Sequence, residues 1–173
     1  LAYYRELYSE DRESKIDSLK LLRPKYKTKS GRTVYGGGGI TPDIYIPYKS
    51  TLNSETIKVI RNPKRPIFNY ASQHASQYKE DFVYFKNFKE NWTVSNSMLQ
   101  DFFIYLDSDS IKVQKDSVLN NDSEFLKNRI KSELAGSIWG KNENTNIRLL
   151  FDNQVTEALK HFNEADAFIQ SSN

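Results

Sequence analysis

The sequence contains no cysteine, which excludes disulfides, thiolate metal sites and a Cys nucleophile. Two histidines, His74 and His161, are too few for a zinc centre built on imidazole. No apolar run approaches the eighteen or so residues that cross a bilayer, so no membrane span is expected. Proline is missing from the last 107 of the 173 residues, because Pro24, Pro42, Pro47, Pro63 and Pro66 all come early. Glycine thins out too, with only Gly136 and Gly140 beyond Gly39. Both residues interrupt helices, so the C-terminal part is free to be helical and the N-terminal part is not.

Excess charge of one sign is also missing from most of the chain. Residues 51–173 carry fifteen Lys/Arg against sixteen Asp/Glu, whereas residues 1–50 carry ten against six. The net charge of +3 is therefore local. It centres on Lys20, Arg23, Lys25, Lys27, Lys29 and Arg32, a run with no acid in it. The composition that remains, 38% apolar and 27% charged, fits a folded domain and not a disordered segment. The chain begins at Leu1 and shows no signal-peptide pattern, so it is expected to be a piece of a longer protein.

Helical spacing dominates from residue 67 onward. Ile67, Ala71, Ala75 and Tyr78 share one face, with Pro66 suited to the first turn. A short helix carries Phe82, Phe85, Phe88 and Trp92. Ser95 is the expected N-cap of a third, with Val94 and Leu99 as its hydrophobic staple. Met98, Leu99, Phe102, Phe103 and Leu106 form that helix's apolar face. A fourth is expected after Asn121, with Glu124 at the capping-box position, then Leu126, Ile130, Leu134 and Ile138, stopping at Gly140. A last helix places Phe151, Val155, Ala158, Leu159, Phe162 and Ile169 on one side. Earlier, Tyr26 to Thr28 and Arg32 to Tyr35 read as strands around a turn at Lys29-Ser30-Gly31, and Asp43 to Ile46 as another.

The expected fold is therefore mostly α: a helical bundle preceded by a few short strands, α+β overall. The expected domains are 1–50 with the strands and glycine loop, a linker over 51–66, and the helical domain over 67–173.

The most informative stretch is Gly31 to Asp43. Four successive glycines, Gly36 to Gly39, permit positive φ and close backbone approach. Such a run can serve as an anion nest, a strand bulge or turn, or a tight loop beside a substrate groove. The spacing of a phosphate-binding loop is missing, since proline and a strand follow in place of a helix.

The same stretch resembles the segment that closes the protease core in the carboxyl-terminal processing (tail-specific) serine peptidases, especially Bacteroidetes-type members. The residues that carry the resemblance are Gly31, Arg32, Val34, Tyr35, Gly36, Gly37, Gly38, Gly39, Ile40, Pro42 and Asp43. Looser similarity to the family's helical extension follows at Phe85-Lys86-Asn87-Phe88, Trp92 to Ser95, Met98-Leu99-Gln100 and Ser137 to Gly140. The resemblance implies a parent peptidase with a Ser nucleophile and a Lys general base, both upstream of this chain. It implies an exported, periplasmic or cell-envelope location. Partners would be the rest of the peptidase chain, its protein or peptide substrates, and a homo-oligomer. The chain itself carries neither dyad motif, so no residue is assigned as catalytic, cofactor-binding or metal-binding, and no cofactor is expected. Its role would be a scaffold, an assembly surface or a cover for the substrate groove. The alternative is an autonomous helical module that binds a protein or peptide.

Other features read as structural. Lysines alternating along a strand make a solvated face or a protected edge, which argues against nucleic acid as a partner. Eleven of the 23 aromatics lie between Phe68 and Tyr105, at spacings that favour core packing. Asp107, Asp109 and Asp116 loosely resemble a calcium loop but lack the EF-hand glycine and glutamate.

Overall fold

Apolar residues at intervals of three and four set the helices from Ser54 onward. The computed structural model describes residues 22–29, 31–37, 44–47 and 52–170, with side chains as far as 167. Among the elements named, strands β1 (Lys25–Lys27) and β2 (Thr33–Tyr35) precede the helices. Helices α1 (Ser54–Ile60), α2 (Pro66–Asp81), α3 (Phe85–Asn91), α4 (Asn96–Ser108), α5 (Lys115–Ile138) and α6 (Lys141–Leu149) follow. Then come α7 (Asn153–Ala158), a 3₁₀ turn (Leu159–His161) and α8 (Phe162–Gln170). The protein is mostly α with a small antiparallel sheet. Contacts divide it into two units, Ser50–Asp152 and a second made of Leu1–Lys49 with Asn153–Asn173.

In the helical unit, α5 packs against α1, α2, α4 and α6. Its Val118, Leu126, Ile130 and Leu134 are fully buried, as are Phe102, Phe103 and Leu106 of α4. Each such side chain contributes about 1.5–3 kcal/mol by leaving water. Ser95 caps α4 as expected, its Oγ accepting from the Met98 amide at 3.1 Å. Val94 and Leu99 are both in the core. Pro66 opens α2.

Three expectations are corrected. The segment expected as a linker carries α1, whose Glu55, Thr56 and Val59 are buried. Helix α5 begins at Lys115, ahead of Asn121, because its N-terminus is capped from a distance. Glu55 Oε2 accepts from the Gln114 amide at 3.1 Å, while Glu124 pairs with Lys127 instead of capping. Helix α6 was not expected, and the last helix is present over 153–170 but broken by the 3₁₀ turn, with Phe151, Leu159 and Phe162 exposed and not on a buried face. The side chain of Ile169 lies outside the described residues. Gly140 does stop α5, with φ of +119°.

Helices α1 and α5 exchange carboxylates. While Glu55 serves the α5 cap, buried Asp122 of α5 accepts from the Asn53 amide at 2.8 Å and the Thr56 hydroxyl at 2.5 Å. Each carboxylate lies where a helix start leaves amides unpaired and the dipole favours negative charge. Lys131 performs the opposite service. Its buried ammonium donates to the Lys89 and Trp92 carbonyls at 2.8 and 2.5 Å, at the end of α3, and sits 5.6 Å from the Phe88 ring centre. Burial pushes this lysine below its ordinary range.

Asp122→Ala is expected to cost about 1–3 kcal/mol, the penalty for stranding buried donors, measured by urea denaturation. Glu55 is held below the ordinary carboxylate value by its hydrogen bond to Lys58 and then by the Gln114 amide. A depressed carboxylate stabilises the fold above its unfolded-state pKa, and that gain is lost as pH falls through the folded value. The deficit of Glu55→Gln should therefore be present at pH 7 and shrink below about pH 4.5, where the unfolded side chain protonates. A deficit unchanged at pH 3 would rule the charge out as its source.

Candidate functional site

The expected hairpin is present. Lys25, Tyr26 and Lys27 pair with Tyr35, Val34 and Thr33, and the turn closes through Gly31 N to Thr28 O at 2.9 Å. Gly31 has φ of +83°, the left-handed conformation that ends a three-residue hairpin loop. Gly36 leaves room for the Tyr26 ring. A Cβ there would fall 2.5 Å from the Tyr26 ring, which lies across the glycine. The site residues Arg32, Val34 and Tyr35 belong to this hairpin, and Gly37 follows it with φ of +81°. Gly38, Gly39, Ile40, Pro42 and Asp43 lie outside the described residues. Residues 44–47 are outside the sheet, so the third strand is not seen there, and the Ile46 carbonyl accepts from Gln154 Nε2 at 2.8 Å.

The aromatic stretch forms core. Phe88 stacks on Trp92 at 4.8 Å and meets Trp139 at 5.1 Å, with Phe82 edge-on at 5.5 Å. The Tyr70 hydroxyl donates to the Met98 carbonyl at 3.0 Å, and burial pushes that phenol up to about 12. Asp107 pairs with Lys115 and Asp109 with Lys64, so these two carboxylates tie the α4–α5 connection and the α2 entry in place. His74 Nδ1 lies 2.8 Å from the Tyr70 carbonyl, one helical turn back.

One cleft brings together charges that sequence spacing left apart. Val59 and Ile60 of α1, Arg65 and Phe68 at the start of α2, and Arg129 and Glu133 of α5 line a space of about 100 Å³. Arg65 precedes Pro66 and takes φ of 52°, a strained value for a residue with a side chain. Its guanidinium lies 4.3 Å over the Phe68 ring. Arg129 pairs with Glu133 at 3.2 Å, and the other Glu133 oxygen accepts from Asn144 at 3.2 Å. Burial first, and then the nearby Arg148, push the Arg129 guanidinium below its ordinary range. The i,i+4 spacing of Arg129 and Glu133 was a readable signal. Nothing in the spacing links either residue to Arg65.

Residues 64–140 match a family of unknown function (DUF8443). No curated protein and no solved structure matches the chain. The matched span runs from the turn before α2 to the end of α5. It contains Arg65, Arg129 and Glu133, lies inside the helical unit, and leaves the glycine hairpin out.

The two glycines make separable expectations. Gly36→Ala should push the Tyr26 ring aside while the cross-strand bonds survive, seen as loss of the ring-current shift at residue 36. Gly31→Ala has open space but a strained backbone, and should weaken the turn by about 1 kcal/mol.

Proposed function

We propose that this chain is the non-catalytic C-terminal region of an exported carboxyl-terminal processing serine peptidase. Residues 1–50 belong to the end of the protease core, and the helices act as scaffold, assembly surface or groove cover. The observation that carries the reading is the Gly31–Asp43 segment. In it, Gly31 supplies a left-handed backbone and Gly36 a bare surface for Tyr26, so these two glycines serve a tight hairpin. Four serine hydroxyls of the helical unit serve structure: Ser95 caps α4, while Ser108, Ser132 and Ser137 donate to carbonyls one turn back. Catalysis is assigned to a Ser-Lys pair encoded upstream.

A second reading is an autonomous helical interaction module. It is favoured by the family match, which covers residues 64–140 and excludes the glycine segment.

The purified chain is expected to leave peptides with free C-termini uncleaved. Hydrolysis that disappears when one of its own serines is replaced would overturn the assignment. Coding sequence upstream that contains a serine motif at a helix start and a Gly-Lys-Gly motif supports the peptidase parent. An unrelated upstream domain supports the module.

A further inference from the structure

The two edges of the β1–β2 hairpin are built differently. Its ladder is bracketed by Gly36 N to Pro24 O and Thr28 N to Arg32 O, both at 2.9 Å, with Tyr26 opposite Val34 between them. Antiparallel pairs alternate, so Lys25 and Lys27 of β1, and Thr33 and Tyr35 of β2, turn their amides and carbonyls away from the partner strand. On β1 that outer edge carries a lysine at both positions, and the whole strand is exposed. Lysines along an edge discourage pairing with a further strand. On β2 the edge carries Thr33 and Tyr35, uncharged residues that favour strands, and the strand is half-buried. Among the described residues, nothing hydrogen-bonds to the outer main-chain groups of Thr33 and Tyr35. One edge is guarded and the other is left open.

The side chains around the open edge set the chemistry of what it takes. Lys27 lies opposite Thr33, and its ammonium donates to Thr33 Oγ1 at 2.9 Å. The lysine therefore reaches across the ladder toward the open side, and an ammonium has two further N–H groups to give. Residues 22–37 hold five cations (Arg23, Lys25, Lys27, Lys29 and Arg32) and no Asp or Glu. A second copy would bring like charge to this edge, whereas an acidic side chain beside Thr33 would meet the Lys27 ammonium. The other face, with Val34 and the Tyr26 ring over Gly36, is apolar. A two-stranded hairpin is marginal by itself in water and gains from a third strand.

We propose that the open edge of β2 takes up an extended segment of a partner protein as a third, antiparallel strand, with an acidic side chain beside Thr33 and an apolar one beside Val34. Main-chain bonds to Thr33 and Tyr35 hold the segment, and Lys27 selects its charge. The surface needs no nucleophile and is independent of the peptidase reading.

The test titrates the full chain with the end-blocked peptide Ser-Val-Thr-Val-Glu-Val-Ser, and with its Glu→Gln counterpart, while backbone amide resonances report binding. Saturable shifts at the Thr33 and Tyr35 amides are expected. N-methylation of the peptide's Glu and Thr amides, which face β2, should abolish binding, and N-methylation of its Val amides, which face away, should not. Lys27→Gln should weaken binding of the Glu peptide about two- to fivefold, the scale of an exposed ion pair, and leave the Gln peptide unchanged. Lys27→Arg, which keeps the charge, and Lys29→Gln, outside the strand, should bind like the parent. Cross-strand nuclear Overhauser contacts check that Lys27→Gln keeps the hairpin. If it does not, the parent's preference for the Glu peptide over the Gln peptide carries the test. Shifts that never saturate, binding that survives N-methylation of the facing amides, or equal affinity for the two peptides overturns the proposal. So does a concentration-dependent dimer that broadens the Thr33 and Tyr35 amides without peptide, which assigns the edge to a second copy.

Discussion

The Asp122 carboxylate sits inside α5 in line with Val118, Leu126 and Ile130, a stripe where every neighbour is apolar. An anion removed from water persists only with donors, and those donors are the Asn53 amide and the Thr56 hydroxyl. The start of α1 is therefore obliged to stay against the middle of α5. Glu55 makes the obligation mutual by reaching the Gln114 amide. Lys131, two turns further on, fastens the end of α3 through its carbonyls, and Asn144 reaches the Ser132 carbonyl from α6. One helix thus holds three others by polar bonds while its apolar residues fill the space between them.

This arrangement also makes the cleft. Arg129 and Glu133 lie one turn apart on α5, on the stretch that meets α1 and α2. The turn before α2 is closed by Arg65 N to Asn62 O at 2.9 Å, which delivers Arg65 to the same space. Arg129 and Glu133 are placed by the packing of α5, and Arg65 by this hydrogen-bonded turn. The family match covers α2 to α5 and both of these arginines, but not α1, which supplies the carboxylate partners at the other end.

Much of the helical unit was legible because burial follows period. Met98, Leu99, Phe102, Phe103 and Leu106 were expected on one face and are all buried. Ser95 acts as the cap its position suggested. The start of α5 was not legible, since its cap is Glu55, 59 residues away, and local signals at Asn121 and Glu124 competed with it. Asp122, which follows Asn121, is a buried tether inside the helix. The final helix was legible as a helix but not as an exposed one. Leu159 and Phe162 have helical spacing, yet spacing does not say whether a surface exists to cover them. The candidate cleft was invisible because Arg65 meets Arg129 only after α2 and α5 pack.

The carboxylate exchange between α1 and α5 carries a consequence for synthesis. Asn53 and Asp122 are 69 residues apart, and Thr56 and Asp122 are 66 apart. On a ribosome, α1 emerges long before the side chain that completes its N-terminus, and a seven-residue helix is marginal by itself. Growth of the chain from its N-terminus therefore leaves α1 waiting: α2, α3 and α4 can condense in order, but α1 is fixed only when α5 arrives.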